Sequence, residues 1–82
     1  MHTVELYESS KQFAQRLGYD VREENLGGVG GGTCTVAGQK CLFVDVAAGV
    51  VERLDQITDA LKSDPAVHVS EVPPELHSLL GI

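Results

Sequence analysis

Few residues in this chain have the chemistry for catalysis or ligation: Cys34 and Cys41, the histidines His2, His68 and His77, and a glycine run over residues 27–32. A cysteine nucleophile needs a histidine within hydrogen-bond reach and a third group to orient it. Read on a strand, His68 approaches the neighbouring central strand, so Cys34 or Cys41 with His68 is the one nucleophile–base pairing available. A lone strand histidine is more often a surface residue, and no orienting group stands out. Zinc needs several ligands from closely spaced pairs, and neither C-x-x-C nor H-x-x-x-H occurs. The thiols read instead as small apolar side chains flanking a hairpin turn. With Val36 opposite Cys41, Cys34 falls opposite Phe43. The cysteines then share a face diagonally, roughly 7–8 Å apart, too far for an easy disulfide.

The glycine run invites a phosphate reading. A dinucleotide fingerprint requires G-x-G-x-x-G; Gly28-Val29-Gly30 begins it, but Thr33 takes the place of the third glycine. Gly27 and Gly32 have the spacing of a phosphate-binding P-loop, but Thr33 stands where the lysine belongs. Both motifs also need a helix N-terminus after the loop, and here a strand follows. The segment is therefore expected to be a flexible connection, mobile in the free protein. The carboxylates Glu23, Glu24 and Asp45 are expected on a solvated face. Gly28, Gly30, Gly31, Gly32, Cys34, Cys41 and His68 are the candidate binding residues, with no catalytic residue, metal ligand or cofactor assigned.

These residues must be positioned by a small set of elements. Thr3 is a candidate N-cap for a helix with Leu6, Phe13, Ala14 and Leu17 on one face, ended by Gly18. Tyr19–Glu24 alternates as an edge strand. Thr33–Val36 and Lys40–Val46 form a hairpin around Gly38, the second strand being almost continuously apolar and therefore central. Val50, Leu54, Ile57 and Leu61 make one stripe of a helix over 50–62, stopped by Asp64-Pro65. Val67–Val72 alternates as a fourth strand, and Pro73-Pro74 opens a short last helix. The third strand, long helix and fourth strand are read as a right-handed β-α-β unit. The expected fold is α+β: a mixed sheet of three or four strands, in the order α-β-β-β-α-β-α, with two main helices on one face.

Eighty-two residues, 43% hydrophobic, suit one domain spanning 1–82. A chain so short buries only about 60% of its unfolded surface, which makes self-association reasonable. Twelve acidic residues against six basic ones, the basic ones scattered singly, argue against nucleic acid and against an anionic membrane. No apolar run nears the ~18 residues of a membrane span, and the start of the chain does not read as a signal peptide. The expected location is the cytoplasm, with reduced thiols.

The run Gly38-Gln39-Lys40-Cys41-Leu42-Phe43-Val44-Asp45, with the helix through Leu54, Ile57 and Leu61, resembles the strand-then-helix start of zinc metallopeptidases of the ImmA/IrrE kind. In that family the helix carries H-E-x-x-H. The matching positions here are Asp59-Ala60-Leu61-Lys62-Ser63, which lack both histidines and the glutamate. The resemblance covers about a third of the chain and implies a non-catalytic relative. The chain also resembles short bacterial open-reading-frame proteins with a GGxGGG centre followed by cysteine and a branched aliphatic residue, here Cys34 and Val36; that resemblance implies no function.

The leading expectation is a small, non-catalytic, cytoplasmic protein-interaction or regulatory domain, with an unidentified protein partner or a second copy of itself. Two alternatives stay open. One is a small-ligand or metal-binding protein using the Gly27–Gly32 loop, Cys34, Cys41 and His68. The other is an unfamiliar enzyme on the same residues.

Overall fold

The protein is described by a computed structural model covering residues 2–82. Its first element, α1, runs Thr3–Arg16. The N-cap is His2 rather than Thr3, and no side chain caps the helix; Glu5 lies in the first turn, where the helix dipole favours it. At the other end Gly18 takes φ +98°. Its N–H donates to Gln15 O (3.0 Å), and the Tyr19 N–H donates to Ala14 O (3.1 Å). This paired closure needs a left-handed residue, which is why glycine ends the helix there. Tyr7, Ser10, Phe13 and Ala14 form the buried stripe, the Ser10 hydroxyl being satisfied by Tyr7 O.

Three strands follow: β1 Asp20–Glu24, β2 Gly32–Val36 and β3 Gln39–Asp45. Their order across the sheet is β1-β3-β2. β3, the most apolar, is central; β1 pairs with it in parallel and β2 antiparallel. The β2–β3 turn consists of Ala37 (φ +51°) and Gly38 (φ +81°), the two left-handed residues that match hairpin twist. Val36 and Gln39 close this turn, so the register differs by two residues from the one expected: Cys34 lies directly opposite Cys41, not diagonal to it.

Helix α2, Val50–Lys62, buries Leu54, Ile57, Thr58 and Leu61. Both long helices pack on the sheet face that carries Leu42 and Val44, making one apolar cluster with Tyr7, Phe13, Ile57, Leu61, Val67, Leu76 and Leu80 among its members. Among the described residues no helix packs on the opposite sheet face. The architecture is the α+β arrangement expected, with a three-stranded mixed sheet.

The fourth strand does not form, and with it goes the β-α-β unit built on α2. Pro65–Val69 is instead a 3-10 turn. Asp64 caps it by accepting the Ala66 N–H, and Pro65 is preset for the first turn. The alternating valines that suggested a strand have different fates: Val67 is buried in the core while Val69 is 86% exposed. A second 3-10 turn, Pro74–Leu76, leads into α3, His77–Leu80, ended by left-handed Gly81. Among the described residues no helix is long and apolar enough to cross a membrane.

Candidate functional site

The connection of strands explains the glycine run. β1 ends opposite Asp45, and β2 begins opposite Phe43 on the other side of β3. Residues 25–31 must therefore step across the end of the central strand, about 9–10 Å or two strand spacings. Asp45 lies under that path and is fully buried. Its Oδ1 accepts the N–H groups of Leu26 (3.0 Å) and Ala47 (2.9 Å), and its Oδ2 accepts that of Gly30 (3.0 Å). The Asp45 N–H in turn donates to Gln56 Oε1 on α2 at 2.8 Å.

Gly27, Gly28 and Gly30 all have positive φ, which lets the backbone curl around the carboxylate. Burial pushes the Asp45 carboxyl up, but the amides of Leu26, Gly30 and Ala47 more than offset this and hold it below the usual carboxylate range. Asp45 is thus not on a solvated face, as expected from sequence; it is the anion of an anion-binding loop. Gly31 is needed for close approach: a Cβ there would lie 1.8 Å from the Phe43 carbonyl oxygen. Gly32, by contrast, is the first residue of β2 and has open space around it.

The thiols sit on the bare side of the sheet. Strand alternation puts Leu42 and Val44 toward the helices, and hence Cys41 and Phe43 on the other face. Cys34, opposite Cys41, shares that face. Cys34 is exposed and Cys41 only 4% so, and neither is in a disulfide; the Cys41 thiol donates to Gln39 O at 3.7 Å. Burial pushes the Cys41 thiol up, with smaller upward contributions from Cys34 and Asp20. Every residue of β2 is exposed, so this strand is an uncovered edge.

Two tyrosine–carboxylate clasps, neither anticipated from sequence, tie the helices to the sheet. Tyr7 Oη donates to Glu23 Oε2 at 2.6 Å, with Lys11 Nζ 3.1 Å from Glu23 Oε1. Burial, then this hydrogen bond, raises the Tyr7 phenol. Tyr19 Oη donates to Asp64 Oδ2 at 2.6 Å, Lys40 Nζ lies 3.0 Å from the same oxygen, and the ammonium sits 4.3 Å from the Tyr19 ring centre. Burial and the bond to Asp64 push Tyr19 up to about 12, while the Tyr19 hydrogen bond, the Ala66 amide and Lys40 bring Asp64 down to about 2. Both groups titrate far from neutral, so they serve poorly as general acid and base at pH 7. Their role is to fasten the end of α1 and the start of β3 to the end of α2.

His68 is not brought to the cysteines. The strand that was to carry it beside β3 is a 3-10 turn, and His68 borders a groove of about 160 Å³ with Ser70, Val72, His77 and Ile82. Among the described residues no three His, Cys, Asp or Glu side chains gather to hold a metal ion. Asp59 and Ser63, the positions suggested by the peptidase resemblance, line a groove of about 380 Å³ between the glycine run and α2. Comparison with protein-family models, curated proteins and solved structures found no match to this chain.

Asp45 was the missed residue that left a signal in the sequence. A charged residue ending an apolar central strand, thirteen residues after a run of glycines able to aim amides, is a donor–acceptor pairing waiting to close.

Proposed function

We propose that this chain is a small, non-catalytic protein-interaction domain whose contact element is the free edge of β2, and that the strand paired there belongs to a second copy. The observation that carries this reading is the contrast between the two sheet edges. β1 is Asp-Val-Arg-Glu-Glu, an edge guarded by four charges in five residues. β2 is Gly-Thr-Cys-Thr-Val, exposed throughout, with no charge, proline or covering element.

The ladder fixes what β2 offers. Val36, Cys34 and Gly32 direct their backbone groups to β3, so the N–H and C=O of Thr33 and Thr35 point outward. An antiparallel second β2 centred on Cys34 satisfies them, setting Thr33 opposite Thr35 of the second copy, a favourable cross-strand pair. Asp59 borders the groove beside Gly31 and Thr33, and Lys40 stands opposite Thr35 at the other end. Both keep partners within their own chain, Lys40 with Asp64 at 3.0 Å and Asp59 with Lys62 at 4.0 Å, so the pairing rests on the strand edge itself. The acidic balance of the chain favours a protein partner over nucleic acid or an anionic membrane, and the reading places the domain in the cytoplasm.

Sedimentation equilibrium of the full chain tests this. A reversible dimer is expected, tightening with salt because each copy carries net charge −6. Thr35→Pro removes an outward N–H and no β2–β3 ladder bond, so it should abolish the dimer while the circular dichroism spectrum is retained. A chain monomeric up to roughly millimolar concentration refutes the reading. So does a dimer that Thr35→Pro leaves intact.

A further inference from the structure

We propose that Cys34 and Cys41 form a reversible dithiol–disulfide pair, oxidised by exchange with small-molecule disulfides of the glutathione type. Three observations carry this. First, the two are directly opposed in the ladder. Second, they stand two residues along from Val36 and Gln39, the pair that closes the turn, and so occupy a hydrogen-bonded position with Cα atoms about 5.5 Å apart. That lies inside the 4.4–6.8 Å span that disulfides bridge without backbone movement. Third, both thiols are free, and they share the sheet face that no helix covers.

Their unequal exposure sets the order of steps. The Cys34 thiolate, open to solvent, attacks one sulfur of the incoming disulfide and expels the first small thiol. This leaves Cys34 in a mixed disulfide. Cys41, 4% exposed, is shielded from the bulky reagent but faces Cys34. Losing its proton, Cys41 attacks the Cys34 sulfur and expels the second small thiol. In sum, one external disulfide and two protein thiols give one internal disulfide and two external thiols. Burial holds the Cys41 thiol up, so Cys41 fits the second, intramolecular attack, which needs little thiolate because its target is adjacent. Asp20 and Arg22 of β1, on the same face beside Cys41 and Phe43, are the charged neighbours of the pair.

The experiment incubates the native, dilute chain with oxidised glutathione, quenches with acid and reads intact mass. The wild type is expected to end as a monomer lighter by two hydrogens, restored by reduced glutathione. Cys41→Ser should stop at a stable glutathione adduct on Cys34; Cys41→Ala replaces it if circular dichroism shows that serine disturbs the strand. Cys34→Ser should stay unmodified when folded and react when denatured. A wild type that keeps the glutathione adduct, or that does not react while folded, overturns the proposal. A disulfide-linked dimer through Cys34 also overturns it, yet leaves the β2-edge dimer standing, since antiparallel pairing centred on Cys34 sets that residue against its copy. The pairing of thiols and the dimer thus fail separately.

Discussion

Replacing Gly31 by alanine puts a methyl group where the structure has a backbone oxygen. The Cβ would stand 1.8 Å from Phe43 O and 2.7 Å from Phe43 C, where ordinary contact begins at 3.4 Å. Neither atom can swing aside, because both belong to the central strand, so the glycine run must retreat by about 1.6 Å. A retreat of that size would stretch the neighbouring Gly30 N–H bond to Asp45, now 3.0 Å, beyond hydrogen-bond range. Forced overpacking of this kind costs about 1–3 kcal/mol. For a domain of this size each kcal/mol lowers Tm by roughly 4–8 °C, so a fall of about 10 °C is expected. Gly32→Ala is the control. Its Cβ meets nothing within 4 Å and its φ is not positive, so its Tm should hold or rise slightly. Scanning calorimetry of the three proteins decides it. A Gly31→Ala melt within a degree or two of wild type, or equal to that of Gly32→Ala, would refute the close approach and the anchoring built on it.

Two further outcomes are expected. Ile57→Ala, in the fully buried stripe of α2, should lose about 2–5 kcal/mol in urea titration, and exposed Glu52→Ala less than about 0.5 kcal/mol; similar losses at both would mean α2 packs by another face. The Tyr19–Asp64 clasp should show at both ends of the pH scale. Tyr19 is raised from 10.0 to about 12, so its contribution is whole below pH 10 and lost as pH climbs through 12. Asp64 is lowered from 3.8 to about 2, so its contribution is whole above pH 3.8 and lost as pH falls through 2. Phenolate absorbance checks it: in Asp64→Asn one tyrosine should titrate closer to its ordinary value, and an unchanged curve would show that the hydrogen bond contributes nothing.

Local pattern made most of the fold readable. Leu54, Ile57 and Leu61 marked α2 by spacing, Gly18 marked the end of α1, and the apolar run Cys41–Val44 marked the central strand. What escaped was decided by long-range partners. Val67, His68 and Val69 alternate like a strand, but Asp64 and Pro65 close a 3-10 turn first, and Val67 is buried in the core instead. The hairpin register turned on Ala37, because alanine at φ +51° is unusual and nothing in its identity announces a two-residue turn. The site was less legible still. Glycine content showed a permissive backbone but not what it wraps, and Tyr19, Lys40 and Asp64 are brought together only by the packing of α2 on the sheet.

The burial of Asp45 beneath residues 26–30 has a consequence best put as a competition. A carboxylate meeting a cradle of amides in water binds weakly, but this one is covalently part of the chain. Its effective concentration at the cradle is at least millimolar by the arithmetic of short tethers, and higher for a group held rigidly at a strand end. A free phosphate or carboxylate must displace that resident before it can use the amides of Leu26 and Gly30. The loop is thus a receptor saturated by its own chain, and its shape is set when the strands assemble rather than by the solutes around it.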